Sequence, residues 1–190
     1  MRNSIYQLIS SIKAYDDLEN QHKQFALAWI ESGADLFRIT KPDVPQIHLV
    51  SYFAVFNDAK SKILLGHHKA ADLWLPSGGH VEANEHPADT VKRECLEELD
   101  IAAKFAFAAP VFLTVTDVNC NNSTHTDVSL WYALHSDENL AINFCKTEYY
   151  AMQFFEFKSI PYPKTDPHMQ RFLTKLNTVV TNTPATSLII

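Results

Sequence analysis

The segment from Gly79 to Ile101 reads Gly-His-Val-Glu-Ala-Asn-Glu-His-Pro-Ala-Asp-Thr-Val-Lys-Arg-Glu-Cys-Leu-Glu-Glu-Leu-Asp-Ile, and it leaves the chain few ways to fold. It predicts a loop behind a Gly-Gly turn and then a helix. Pro87 suits a first helical turn, because its fixed φ is already helical and its missing N–H is not needed there. Ala88, Val91, Cys95 and Leu99 recur at i, i+3, i+7 and i+11 and give one apolar stripe for the core. Glu94 and Glu98 are one turn apart on that helix and Glu97 adjoins Glu98, so three carboxylates project from one side. Like charges at i, i+4 cost a bare helix about a few tenths of a kcal/mol. A divalent cation with oxygen ligands removes that repulsion, and magnesium takes a few carboxylates while leaving other positions to water and substrate phosphates.

These residues resemble the signature of the Nudix hydrolases: a glycine, five free positions, a glutamate, seven free positions, Arg-Glu, a bulky apolar residue, a free position, Glu-Glu, a free position, a glycine and another bulky apolar residue. Gly79, Glu85, Arg93, Glu94, Glu97, Glu98 and Ile101 fall on their slots, and Cys95 fills an apolar one as a small hydrophobe. With each of six specified types at about one position in fifteen, a chance match is on the order of one in a hundred thousand. Leu73-Trp74-Leu75-Pro76-Ser77-Gly78-Gly79 also resembles the usual approach to this box. Asp100 departs from the pattern, standing where the family has glycine. A helix end that needs a left-handed residue takes glycine most easily and Asp or Asn next.

The resemblance implies an α/β/α sandwich around a mixed sheet, covering roughly residues 45–180, with residues 1–40 as a helical extension outside it. It implies that Glu94, Glu97 and Glu98 hold magnesium, for which manganese can substitute, and that Glu94 or another carboxylate takes the proton from water. Glu85 and Arg93 would brace the loop and helix, Arg93 by a bidentate ion pair, and the Gly78 or Gly79 carbonyl would add a ligand. The implied reaction is magnesium-dependent hydrolysis of a phosphoanhydride bond in a nucleoside-diphosphate-linked small molecule. A Nudix-type prenyl diphosphate isomerase and a non-catalytic nucleotide sensor of the same fold are the alternatives.

Outside the box, Ile5, Leu8, Ile9 and Ile12 mark a first amphipathic helix, and Asp16 with Glu19 makes a capping-box-like start for a second, through Phe25, Trp29 and Ile30 to Gly33. After the Pro42–Pro45 break, Ile47–Phe56 is a nearly continuous apolar run, as in a strand covered on both faces. Asn57-Asp58 offers a turn before a strand from Lys62 to Gly66. Phe105–Thr116 is strand-rich, and Thr124–Leu134 alternates, with Val128, Leu130, Tyr132 and Leu134 on one face and His125, Asp127 and Ser129 on the other. Met152–Phe157 is a further strand; Asp166-Pro167 opens a last helix with Phe172, Leu173, Leu176 and Val179 inward, and the tail after Thr181 reads as loose.

Several residues here have two readings. His125 and Asp127 either line the cleft as substrate contacts or edge the solvent. Glu148 stands where some relatives of the resembled family carry an extra catalytic carboxylate, or is a surface loop residue. His67, His68 and Lys69 either meet phosphate or are solvated, and Trp74 either stacks a base or closes the core, the latter being the expectation.

The formal charge of −6 over 190 residues argues against a stable nucleic-acid partner, which would call for a basic patch. Cys95, Cys120 and Cys145 are an odd set with neither disulfide nor metal-ligand spacing, which fits a reducing, cytoplasmic setting. The first residues lack the apolar run of a secretory signal, and no stretch approaches membrane-spanning length. A homodimer contact and a lid over the cleft are two open roles for the N-terminal helices.

Overall fold

The apolar run that begins at Ile47 becomes β1 (Ile47–Asn57), and most of its residues are buried, including both faces. The computed structural model describes residues 1–40, 44–57, 61–120, 123–136 and 142–182. The remaining strands are β2 (Lys62–His68), β3 (Leu73–Leu75), β4 (Ser77–His80), β5 (Phe112–Cys120), β6 (Ser123–Ser136) and β7 (Tyr149–Glu156), and the helices are α1 (Arg2–Ser11), α2 (Asp17–Glu31), α3 (Pro87–Leu99) and α4 (Met169–Asn182). Together they form the expected mixed sheet with helices. Strands follow the order β3-β2-β1-β6-β5, with β4 paired to β1 and β7 paired to β2.

Two compact units share these elements. The first takes Met1–Tyr52, Gly78–Val91 and Ala109–Trp131; the second takes Phe53–Ser77, Lys92–Ala108 and the chain from Tyr132 on.

In the first unit, Asp16 caps α2 by accepting from the Glu19 N–H at 2.8 Å, while Glu19 Oε2 reaches back to the Tyr15 N–H at 2.7 Å. Each helix end also finds a cation. The Arg2 guanidinium donates to the carbonyls of Ile30, in the last turn of α2, and of Ala34, past its end, and Lys23 Nζ donates to those of Ser10 and Ile12 at the end of α1. Buried Ile5 and Ile9 of α1 and Ala26, Trp29 and Ile30 of α2 supply the apolar side of this packing. Phe25, expected on that side, is exposed.

The Gly-Gly pair is not a turn, contrary to expectation. Gly78 and Gly79 lie in β4 beside β1, and a Cβ on Gly78 would fall 2.3 Å from the Ser51 carbonyl oxygen. The glycine is needed for the closeness of two backbones. The strand expected from Phe105 starts only at Phe112. Phe105 makes an isolated bridge to Leu134, and Pro110, which has no N–H to give a ladder, stands between the two pieces. β6 is buried on both faces, so its alternation separates two interiors rather than an interior from solvent.

α3 buries Val91, Cys95 and Leu99 completely and ends as Asp100 allows. Asp100 has φ 55, its N–H reaches the Leu96 carbonyl at 3.2 Å, and the Ile101 N–H reaches that of Cys95 at 3.3 Å. This is a left-handed helix stop made without glycine. In the second unit, α4 follows Asp166, whose carboxylate accepts from the His168 N–H, and it buries Phe172, Leu173 and Leu176. Asn57 Oδ1 accepts from the N–H groups of Ser61 and Lys62 ahead of β2, whereas Asp58, Pro42, the tail after Asn182 and the Cys120 side chain lie outside the described residues.

Candidate active site

The carboxylates of α3 differ sharply in exposure. Glu97 is exposed, the Glu94 side chain is mostly covered, and Glu98 is 5% exposed. Helical geometry explains the gradient, since Glu98 lies beside Leu99 and one turn from Glu94, at the border of the buried stripe. Arg93 Nη1 lies 2.6 Å from Glu94 Oε1 and 3.4 Å from Glu97 Oε2, so one nitrogen spans two carboxylates where a two-pronged pair with one was expected.

Glu98 Oε2 accepts from the Tyr149 hydroxyl at 2.9 Å, and that hydroxyl lies 3.4 Å from Ser77 Oγ. Burial, and then the Glu94 charge, push the Glu98 carboxyl up to about 8, against the opposing pull of the Tyr149 hydrogen bond. Glu94 is raised too, by burial first, with Arg93 opposing and the charges of Glu97 and Glu148 adding to the rise.

Glu148 arrives through the loop that precedes β7. The Cys145 N–H bonds the Glu98 carbonyl at 2.8 Å, fastening that loop to the end of α3, and the Lys69 N–H bonds the Glu148 carbonyl at 2.8 Å. The Glu148 side chain is thereby held close enough to raise both Glu94 and Glu98. Lys69 Nζ donates to the Lys146 carbonyl and sits 5.4 Å from the centre of the Tyr150 ring. His67 pairs with Asp72 at 2.8 Å and stacks on Trp74 with ring centres 5.1 Å apart, so Trp74 is a half-buried part of an aromatic group and not of the deep core. Burial lowers His68.

Glu85 belongs to the first unit. Its Oε2 accepts from the Glu82 N–H at 3.1 Å and from Thr90 Oγ1 at 2.8 Å, which ties the loop after β4 to the first turn of α3. Gly79 stands one residue before His80 in β4.

His125 and Asp127 are buried, which neither of their two sequence readings anticipated. They meet His48 of β1 and His80 of β4, and the ligand-type atoms of all four lie within 4.8 Å of one another. Backbone pairing explains the meeting: the Val81 N–H bonds the Leu49 carbonyl at 3.0 Å and the Thr126 N–H bonds that of Gln46 at 2.7 Å, bringing β4 and β6 to β1 at His48. Burial, then the charge of Arg38, lowers His80 to about 4. Burial alone would lower His48, but the Asp127 carboxylate and the Pro45 carbonyl outweigh it.

Sequence reasoning missed Tyr149, Ser77, His48 and His80. Tyr149 adjoins Glu148 but carries no spacing signal; His48, by contrast, is a polar residue inside an otherwise apolar strand, the kind of interruption that marks a buried polar partner.

A NUDIX domain family model matches residues 47–176. No curated protein sequence matches the chain. Among solved structures, a NUDIX-family hydrolase from Clostridium perfringens superposes with TM-score 0.55 at 20% identity, covering 70% of this chain and 97% of its own. A MutT NUDIX hydrolase from Burkholderia pseudomallei gives TM-score 0.52 at 26% identity, covering 67% and 95%. A C. elegans Ap4A hydrolase gives 0.55 at 14%, covering 71% and 98%. With the family model spanning well over half of the residues, the chain belongs to the NUDIX domain family and is a Nudix-type pyrophosphohydrolase.

Proposed function

We propose that the protein hydrolyses a phosphoanhydride bond in a small nucleoside-diphosphate-linked molecule, that the reaction depends on magnesium or manganese, and that it takes place in the cytoplasm. One observation carries the reading: Glu94 and Glu98, one turn apart, are largely buried and both raised, first by burial, with the Glu94 charge adding to the rise of Glu98, the Glu97 charge to that of Glu94 and the Glu148 charge to both. Such a group is costly without a cation and comfortable with one. Its donors are all carboxylate oxygens, the set that suits magnesium.

In this reading Glu94, Glu97 and Glu98 hold the metal, with the Gly79 carbonyl as a further ligand and Glu148 as an added carboxylate of the site. Magnesium when bound supplies charge neutralisation on the phosphates and a more acidic attacking water. The chain does the rest. Glu94 accepts the proton from that water, a role its raised affinity for protons suits. Tyr149 fixes the direction of Glu98, Arg93 holds Glu94 and Glu97 in place, and Glu85 keeps the loop after β4 tied to the helix. Among the described residues no helix is long and apolar enough to cross a membrane.

The test is a panel of nucleoside triphosphates, nucleotide sugars, ADP-ribose and dinucleoside polyphosphates; the last class is included because one structural neighbour is an Ap4A hydrolase. With magnesium, at least one member should turn over, and Glu98→Gln should lower that rate by about 10²-fold or more, roughly 3 kcal/mol. Tight binding without product would indicate a sensor instead, and a rearranged prenyl diphosphate an isomerase.

A further inference from the structure

We infer that His48, His80, His125 and Asp127 form a binding site for a divalent transition-metal ion of the zinc class, held in four-coordinate geometry inside the first unit and separate in its ligands from the carboxylates of α3. Geometry carries this. A tetrahedral ion with bonds of about 2.0–2.1 Å needs its ligand atoms about 3.3–3.4 Å apart. Three of the six separations are close to this spacing: His48 Nε2 lies 3.1 Å from His80 Nε2 and 3.2 Å from Asp127 Oδ1, and His125 Nε2 lies 3.4 Å from the same Oδ1, while one ligand atom from each of the four residues lies within 4.8 Å of the others.

The second observation is the buried carboxylate. Asp127 Oδ1 has two imidazole nitrogens beside it yet no hydrogen bond of acceptable angle from either. The two imidazoles His48 and His80 share one hydrogen bond through their Nε2 atoms, and the buried carboxylate beside them is left for a further positive partner, which an ion supplies. His48 is oriented for this, because its Nδ1 lies 2.9 Å from the Pro45 carbonyl oxygen. That contact places the proton on Nδ1 and leaves the Nε2 lone pair facing the cluster, the usual outer support of a metal-bound histidine. A single proton on Nε2 would serve one neighbour at a time, whereas an ion would serve all four groups together.

The donor chemistry selects the ion. Three imidazoles and one carboxylate suit zinc and its neighbours, and nitrogen donors are poor for magnesium. Four protein ligands complete a tetrahedral shell, and His48, His125 and Asp127 are buried, so the ion acts structurally, fastening β1, β4 and β6 together. This site does not depend on the proposed reaction, and either can fail without the other.

The test uses tag-free full-length protein grown with zinc, desalted and assayed for bound metal, and then stripped with chelator and titrated with cobalt(II). Near-stoichiometric zinc and an intense visible cobalt spectrum of the tetrahedral type are expected, along with a rise in Tm on adding zinc to stripped protein. His80→Gln and Asp127→Asn should each weaken cobalt binding by at least about tenfold, while Glu98→Gln leaves it unchanged. Excess magnesium should not displace the ion. A folded wild-type protein that takes up no zinc and develops no such spectrum overturns the site, and that result needs no variant to fold. A spectrum that survives both histidine-cluster variants but vanishes in Glu98→Gln overturns it as well, placing the ion on α3.

Discussion

The Tyr149 hydroxyl donates to Glu98 Oε2 at 2.9 Å, and both side chains are buried. This bond favours the ionised carboxylate and opposes the upward push of burial and of Glu94. Removing it with Tyr149→Phe should therefore raise Glu98 further. At subsaturating magnesium, the acidic limb of the pH profile of kcat/KM should move upward by roughly one unit, about 1.4 kcal/mol, with activity partly recovered in alkaline buffer. A limb that stays in place would show that Tyr149 serves packing alone.

The same raised carboxyl makes a prediction about stability. Because Glu98 is held at about 8 in the folded chain against an ordinary value of 4.5, the native state keeps a proton that the unfolded state releases. Its contribution is complete below pH 4.5, shrinks as the pH rises and is gone above about 8. Asp166, raised by burial to about 6, acts in the same direction only below that pH, and His48, raised against burial by Asp127 and Pro45, adds to the decline above 6.5, so the share that belongs to Glu98 is the part that Glu98→Gln removes. Metal-free protein should show a Tm that falls across this range, by about 2–4 °C for each kcal/mol lost. Magnesium should flatten the decline by favouring the ionised form, and Glu98→Gln should remove most of it. A Tm in chelator that is level from 6 to 8 would contradict the assignment.

The distribution of what the sequence revealed follows from the range of the forces involved. α3 was legible to within its ends, because Pro87, the apolar stripe and the left-handed Asp100 are all signals within a turn or two of chain. Asp16 with Glu19 was legible for the same reason. The strand cores at Ile47, Lys62 and Thr124 followed from composition, but the burial of both faces of β6 did not, since alternation reports a difference between faces and not which of them meets water. Tyr149 approaches Glu98 across 51 residues and His48 approaches His80 across 32, and no local pattern encodes such meetings. The Gly-Gly pair suggests a turn because glycine's commonest use is conformational; in β4 the positive φ of Gly78, 156, and the crowding by Ser51 and Tyr52 together set the requirement.

Gly66 in β2 offers a test of how rigidly Tyr149 must be held. A Cβ at this position would sit 2.4 Å from the Tyr149 ring and 2.9 Å from the Met152 terminal methyl. The methionine can move aside, but the buried ring is tied by its hydroxyl to Glu98 and Ser77. Gly66→Ala should therefore cost about 1–3 kcal/mol in chemical denaturation through overpacking. It should also shift the pH profile in the direction of Tyr149→Phe, because displacing the ring stretches the same hydrogen bond. A destabilised variant with the wild-type profile would separate the packing role of the ring from its hold on Glu98.

Glu19 does more than start α2. It is fully buried, and while Oε2 accepts from the Tyr15 N–H, Oε1 accepts from the Leu113 N–H of β5 at 3.2 Å across 94 residues. The carboxylate thus joins the helical extension to the sheet edge within the first unit. Asp16→Ala removes the cap and should cost about 1 kcal/mol. Glu19→Ala leaves the buried Leu113 N–H and the partly buried Tyr15 N–H without this acceptor and should cost about 2–4 kcal/mol, with Glu19→Gln between the two, since its amide oxygen can serve one donor but not both. Urea denaturation of the three variants gives the comparison. If Glu19→Ala proves no more costly than Asp16→Ala, the bond to Leu113 contributes nothing and the helices are held to β5 by apolar packing alone.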